Sequence, residues 1–294
     1  MRKPLQLCCV TDGKPGHKTQ LAGLARALAE VQPVELSWLD CSAEMPAPVP
    51  LPGLILAAGH RTHWAALRLK WASRSPLVLL MKPSLPRCLF DLCVIPEHDG
   101  VRSSPRVLTT RGMLNDIQPA EGADPQAGLL LLGGPSKHHG WSDGEILEQV
   151  ARLRDCLPAV SWQATSSRRT PESLNQALAA LNSPDFEFVP FAETDRAWLR
   201  QRMQRCGTIW ISEDSASMVY EALTAGARVG VLAVPRTGQS RVSRGLDALK
   251  AEGWVTDLEH LASAGEMPAP GGTLDEAGRV AQYITQWMTE ARHR

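Results

Sequence analysis

WISEDSASMVYEALTAGARVGVL, residues 210–232, sets an apolar strand and an apolar helix on either side of a polar knot, Glu213-Asp214-Ser215-Ala216-Ser217. Thr208 to Ile211 is rich in β-formers and Met218 to Ala225 in helix formers, Gly226 is a helix stop, and Val229 to Val234 resumes as a buried strand. This is a strand–helix–strand unit whose first loop holds the polar residues. In an open parallel sheet such loops lie at the carboxyl ends of strands, where ligands bind. A plainer reading is a helix cap, with Asp214 or Ser215 satisfying the free N–H groups of the first turn. One residue suffices for a cap. Four polar residues in five, followed by Glu221 within the helix, point to a ligand as well.

Outward from this unit, strand and helix signals alternate along most of the chain. Leu5 to Val10, Val34 to Leu39, Leu54 to Ala58, Leu77 to Met81 and Leu92 to Ile95 read as strands. Helices are expected over 18–30, with Leu21, Leu24, Ala25 and Leu28 on one face, and over 60–72. A second series has strands at Leu129 to Leu132, Ala159 to Gln163 and Phe186 to Val189, helices over 143–155 and 171–181, and a last helix at about 275–291. Short βα repeats of this kind imply parallel sheets with helices on both faces. CSAEMPAPVPLPG (41–53) and SAGEMPAPGGTLDE (263–276) read as surface connections, and PAEGADPQAG (119–128) as a linker. The expected organisation is an N-terminal Rossmann-like domain over 1–122, a C-terminal one over 128–272, and a helix over 273–294 that would return onto the first. Two such α/β halves would face each other across a cleft.

The chain has 294 residues, 44% hydrophobic and 21% charged, with a formal charge of +0. A neutral balance argues against a nucleic-acid binder driven by phosphate neutralisation. Seven cysteines form no CxxC pair, and Cys8, Cys9, Cys88 and Cys93 fall in apolar strand-like runs, which points to packed thiols in a reducing compartment. The opening apolar run is too short for a signal peptide, and no run approaches a membrane span, so a cytoplasmic protein is expected. Nine tryptophans beside two tyrosines and four phenylalanines is an odd balance, for which buried packing would account.

Four loops after strands could carry chemistry. TDGKPGHKTQ (11–20) has Gly13 and Gly16, which would let backbone N–H groups approach a ligand, beside Asp12 and His17; it is neither GxGxxG nor a P-loop. GGPSKHHGWSDGE (133–145) places Gly133 and Gly134 in a tight turn, with Ser136 and Lys137 suited to a phosphate. TSSRRTPES (165–173) offers Ser166, Ser167 and Arg168, with Thr170 as an alternative cap of the helix that follows. The opening loop supplies Glu213, Asp214, Ser215, Ser217 and Met218, and Glu221 would accept from ribose hydroxyls. In a parallel sheet the last three converge on one edge. His60 and His63 have metal-pair spacing but no evident third ligand, and no metal site is expected. GxSxG, HExxH and DxD signals are missing.

VTDGKPGHKTQLAGLARAL, FDLCVIPEHD, VLTTRGMLN, GGPSKHHGW, TSSRRTP and EDSASMVYEAL, in this order between residue 6 and about 240, together resemble the mitochondrial fission ELM family and its bacterial relatives. The resemblance implies a fold similar to GT-B glycosyltransferases. Some relatives carry a sugar-nucleotide epimerase label, yet the GxxGxxG loop and YxxxK pair of a Rossmann-type epimerase are absent here. DSASMVYE is similar to the serine–glycine loop and helix of the lipid-linked GlcNAc transferase of peptidoglycan synthesis. That likeness implies Glu221 at the ribose and Asp214 to Met218 near the diphosphate. GGPSK resembles the glycine-rich loop opening that enzyme's second domain, and TDGKPGH its first-domain loop, with fewer glycines and no recognisable acceptor motif.

What this implies is a metal-independent glycosyltransferase without a cofactor. A nucleotide-diphosphate sugar would bind the C-terminal half and an undetermined acceptor the N-terminal half, a lipid-linked one at the inner membrane face among the options. Gly134, Ser136, Lys137, Ser167, Arg168, Ser215 and Ser217 would stabilise the departing diphosphate, and His17 or Asp12 would be the general base. Two alternatives stay open: a non-enzymatic nucleotide- or protein-binding protein, and a non-oxidative sugar-nucleotide epimerase of the same fold.

Overall fold

The computed structural model describes residues 3–42, 50–238, 241–269 and 272–292. The proline-rich connections read at 41–53 and 263–276 lie partly outside them. The chain divides into two compact units, Met1–Asp116 with Asp275–Arg294, and Ile117–Leu274.

The first unit runs β1 (Leu5–Thr11), α1 (Pro15–Val31), β2 (Val34–Asp40), β3 (Leu54–Ala58), α2 (His63–Ser73), β4 (Leu77–Leu80), β5 (Leu92–Pro96) and β6 (Val107–Thr110). Its six strands form one parallel sheet in the order β2-β1-β3-β4-β5-β6. β3, β4 and β5 are buried throughout, as strands covered on both faces must be. Leu21, Leu24, Ala25 and Leu28 of α1 do face the core. They pack with Ala277, Val280, Ala281 and Ile284 of the last helix, which therefore belongs to this unit.

The second unit runs β7 (Asp124–Leu131), α3 (Asp143–Cys156), β8 (Ser161–Thr165), α4 (Glu172–Ala180), β9 (Phe186–Val189), α5 (Arg196–Arg205), β10 (Cys206–Ser212), α6 (Ala216–Ala225), β11 (Arg228–Leu232), α7 (Arg241–Ala251), β12 (Val255–Asp257) and α8 (Leu258–Ala264). α9 (Glu276–Arg292) is the last helix just described. The second sheet is also parallel and six-stranded, in the order β12-β11-β10-β7-β8-β9. Both units are thus α/β folds of the Rossmann kind. Residues 124–128, read as linker, are the first part of β7, because Ala127 and Gly128 pair with Ser161 and Trp162 of β8.

Each sheet has one place where the strand order turns back on itself: between β1 and β3 in the first, between β7 and β10 in the second. At such a crossover the loops leaving two neighbouring strands diverge and open a crevice at the carboxyl edge. Both crossovers fall on sequence-predicted loops. Two side-chain expectations fail. Cys88 is exposed in a short turn, Arg87–Leu89, rather than packed in a strand. Trp38, Trp64 and Trp71 are also exposed, so buried packing accounts for Trp162 and Trp210 but not for these three.

Candidate functional site

At the C-terminal crossover, three loops are tied by hydrogen bonds. Gly133 N–H donates to Ser212 Oγ at 2.8 Å, and Gly134 N–H to Asp214 Oδ2 at 3.2 Å. Ser167 Oγ donates to the Gly133 carbonyl at 3.0 Å, and the Thr170 hydroxyl lies against the same carbonyl. Arg169 closes the knot, donating to Asp214 Oδ2 at 2.6 Å, to the Gly134 carbonyl at 2.6 Å and to Ser215 Oγ at 3.4 Å. The Asp214 side chain is 0% exposed. It sits where a side chain on Gly133 would be, since a Cβ there would lie 2.0 Å from Oδ2. Glycine is required at 133 by this carboxylate.

α6 then starts without a cap. Ser215 occupies the cap position, but its hydroxyl donates to Asp214 Oδ2 at 3.1 Å, and among the described residues no side chain caps the first turn. A 3-10 turn, Glu213–Ser215, runs directly into the ten residues of α6, and their aligned peptides place a partial positive charge at the crossover. Ser217, in that first turn, is exposed. One turn on, Glu221 Oε2 accepts from Arg196 at 2.6 Å while its side chain keeps 12% exposure, so it is held but not sealed.

Behind the loops, Glu213 is committed inward. Its two oxygens accept from Arg236 Nε, at 3.2 Å, and from Lys250 Nζ. His139 is buried in the same region, and burial outweighs the charges of Asp214 and Glu213 to push its pKa down. It stays neutral at physiological pH.

The N-terminal crossover is built differently. Asp12 follows β1, and its Oδ1 lies 2.8 Å from His17 Nδ1 and accepts from the Lys14 N–H at 3.2 Å. Burial pushes the Asp12 carboxyl up. The His17 bond, the Lys14 N–H and the two neighbouring charges together pull it back to a net value below the usual one. An ionised carboxylate only accepts, so the shared proton is on Nδ1, which in the neutral imidazole leaves the lone pair on Nε2. The imidazole lies over Gly59, the residue after β3, where a Cβ would sit 2.4 Å from the ring and φ is +88°. α1 likewise starts without a side-chain cap, with Pro15 in its first turn.

A sequence profile described as mitochondrial fission ELM1 matches residues 15–288. The chain belongs to the mitochondrial fission ELM1 family. No curated protein matches it in sequence. Among solved structures, this ELM1-family chain is similar to a Listeria monocytogenes protein assigned as a UDP-N-acetylglucosamine 2-epimerase (TM-score 0.62, 12% identity, 98% of each chain covered). It is also similar to the UDP-GlcNAc 2-epimerase of Neisseria meningitidis bound to UDP-GlcNAc (0.55, 12% identity, 98% of this chain and 100% of that one). A third is MurG of Acinetobacter baumannii (0.54, 12% identity, 98% and 100%). At such identity these likenesses show the fold, that of the GT-B group.

The crossovers gather some predicted residues and not others. Gly133, Gly134, Ser167, Asp214 and Ser215 meet, though Ser167 and Asp214 bond loop to loop rather than facing outward. Asp214 and Ser215 do not cap α6, and Thr170 does not cap α4, whose cap position is Pro171. Ser136 turns to His139 Nδ1 at 3.3 Å, and the carbonyl of exposed Lys137 accepts from Thr237, so this turn bonds toward residues 235–237. Ser166 Oγ accepts from Phe191 N–H at 3.1 Å, and Arg168 stacks on the Phe191 ring at 6.0 Å. The neighbouring Arg169 is the one that enters. Met218 packs on the core, and Gly13 and Gly16 stand in open space. Sequence reasoning missed Arg169, Arg196, Arg236 and Lys250. Only Arg169, second of an adjacent pair, carried a local signal.

Proposed function

We propose that this protein is a nucleotide-sugar glycosyltransferase. The observation that carries the reading is the uncapped start of α6 at the C-terminal crossover, braced by the Gly133–Gly134 and Ser167–Thr170 loops. A departing nucleoside diphosphate gathers negative charge as its bond to the anomeric carbon breaks. Backbone N–H groups and a helix dipole aimed at that charge stabilise it without reorganising. Ser217 and Arg169, 41% exposed, supply further donors, and Glu221 accepts from the ribose hydroxyls. In the N-terminal unit, Asp12 holds His17 so that Nε2 takes the proton of an acceptor hydroxyl as its oxygen bonds to the anomeric carbon. Glu213 is left out of ligand contact because both its oxygens bond cations.

A second reading is a non-oxidative UDP-sugar epimerase. It is favoured by two similar structures that bear that name, one of them with UDP-GlcNAc bound. The experiment is incubation with UDP-, GDP-, ADP- and CMP-linked sugars, following free nucleotide and sugar identity, with Glu221→Ala as control. Nucleotide release that needs Glu221 supports transfer. A changed sugar still joined to nucleotide supports epimerisation. Saturable binding with neither change makes the protein a nucleotide-binding one, and no binding at all removes the site.

A further inference from the structure

α2 carries a surface that neither crossover explains. Trp64 and Trp71 are 61% and 59% exposed, the two largest exposures among the described large apolar side chains. They lie seven apart, two helical turns, and Arg61, Arg68 and Arg74, all exposed, fall between and beside them at steps of three and four. The result is one stripe of alternating guanidinium and indole. The helix itself, HWAALRLKWAS, contains no acid. Asp91, the acid hydrogen-bonded to it, is committed to Lys70 at 2.9 Å. Among the described residues the three stripe arginines make no hydrogen bond or ion pair, though Arg61 feels the carboxylate of Asp40. Arg74 ends the helix at φ 56°, a left-handed position that glycine would fill without strain. Beside Trp71 and Arg74 opens a groove of about 700 Å³, further lined by Lys70, Trp287 and Met288.

We propose that this face of α2 docks the protein on an anionic lipid surface. Indole rings prefer the boundary between headgroups and acyl chains, and arginines beside them meet lipid phosphates there. The apolar groove with its basic rim gives an acyl chain somewhere to lie. Charge decides against a second copy as occupant, because a two-fold contact would set each arginine stripe against itself. The exposed indoles beside a groove lined by Trp71, Trp287 and Met288 favour a lipid interface over a nucleic-acid phosphate backbone, which uses charge and needs no such groove. No described helix is long and apolar enough to cross a membrane, so the contact is peripheral. The inference stands apart from the glycosyltransferase reading.

The test is flotation of the full chain with phosphatidylcholine vesicles, with or without about 30 mol% phosphatidylglycerol, at ~0.1 and ~0.5 M salt. Binding should need the anionic lipid, weaken at high salt, and fall at least about tenfold in Arg61→Glu/Arg68→Glu and in Trp64→Ser/Trp71→Ser. Should a variant fail to fold, quenching of the wild-type protein by bromine-labelled lipid, compared with Trp64→Phe/Trp71→Phe, reads the same contact. Absence of binding, equal binding to neutral vesicles, or binding untouched by the substitutions would overturn the proposal. So would self-association that the tryptophan variants abolish, which would make the face a contact between copies.

Discussion

The two crossovers share a topology and differ in what their buried aspartate does. At the first, Asp12 takes one histidine nitrogen and leaves the other free. At the second, Asp214 takes an arginine and a backbone N–H from a neighbouring loop and fastens the strand ends together. Glycine serves each arrangement differently: Gly59 makes room for the His17 ring, Gly133 for the Asp214 carboxylate. The same polar residue type after a strand is therefore a chemical group in one unit and a structural tie in the other. What is left open at the second crossover is backbone, the start of α6.

The sharpest way to break this contrast is at His17. His17→Ala should lower the melting temperature, because the buried Asp12 carboxylate loses its His17 partner. Turnover should fall by roughly 10²–10⁴-fold with nucleotide affinity unchanged, as measured by initial rates and calorimetry. A tenfold loss or less would leave another group as the base. Gly133→Ala should act on stability instead, by about 3 kcal/mol in denaturant titration, because the Cβ meets a buried carboxylate rather than a flexible chain end. Asp214→Asn removes the ion pair and keeps the shape. Since Arg169 is partly solvated, about 1–2 kcal/mol is expected.

How much of this was readable beforehand depended on what each segment buries. Continuous apolar runs such as Leu54–Ala58 and Leu77–Leu80 announced their strands. α5, RAWLRQRMQR, was not recognised because Met203 is its sole fully buried residue, Trp198 and Leu199 are only half-buried against the core, and four arginines and two glutamines dominate the rest. β6 escaped because it is a four-residue edge strand with two half-buried positions. Among site residues, Asp12 and His17 were legible because they are near in sequence and sit in one loop. Arg169 and Asp214 are 45 positions apart, and only folding discloses that they bond. The glycines were legible as special and misread in purpose: a sequence shows that a side chain is excluded, not whether a ligand or the protein itself excludes it.

The smallest expected effect is on pH. Burial holds the pKa of His63 and of His139 below the ordinary value, so the unfolded chain binds protons that the folded one refuses. Stability should fall as pH drops below about 6.5, the unfolded histidine value, and His139→Gln should flatten that slope in melts across the range.

The central claim is that the open start of α6 receives a diphosphate, and Ser217→Asp tests it most directly. A carboxylate in the first turn of an otherwise uncapped helix should hold or raise the melting temperature, by the equivalent of about 0.3–1 kcal/mol. It should also repel a nucleoside diphosphate from the same N–H groups. Titration calorimetry with UDP, GDP and ADP should show saturable binding of at least one nucleotide to the wild type, weakened about tenfold or more in Ser217→Asp. Nucleotide binding that survives this substitution at full strength, or no nucleotide binding to the wild type, would contradict it.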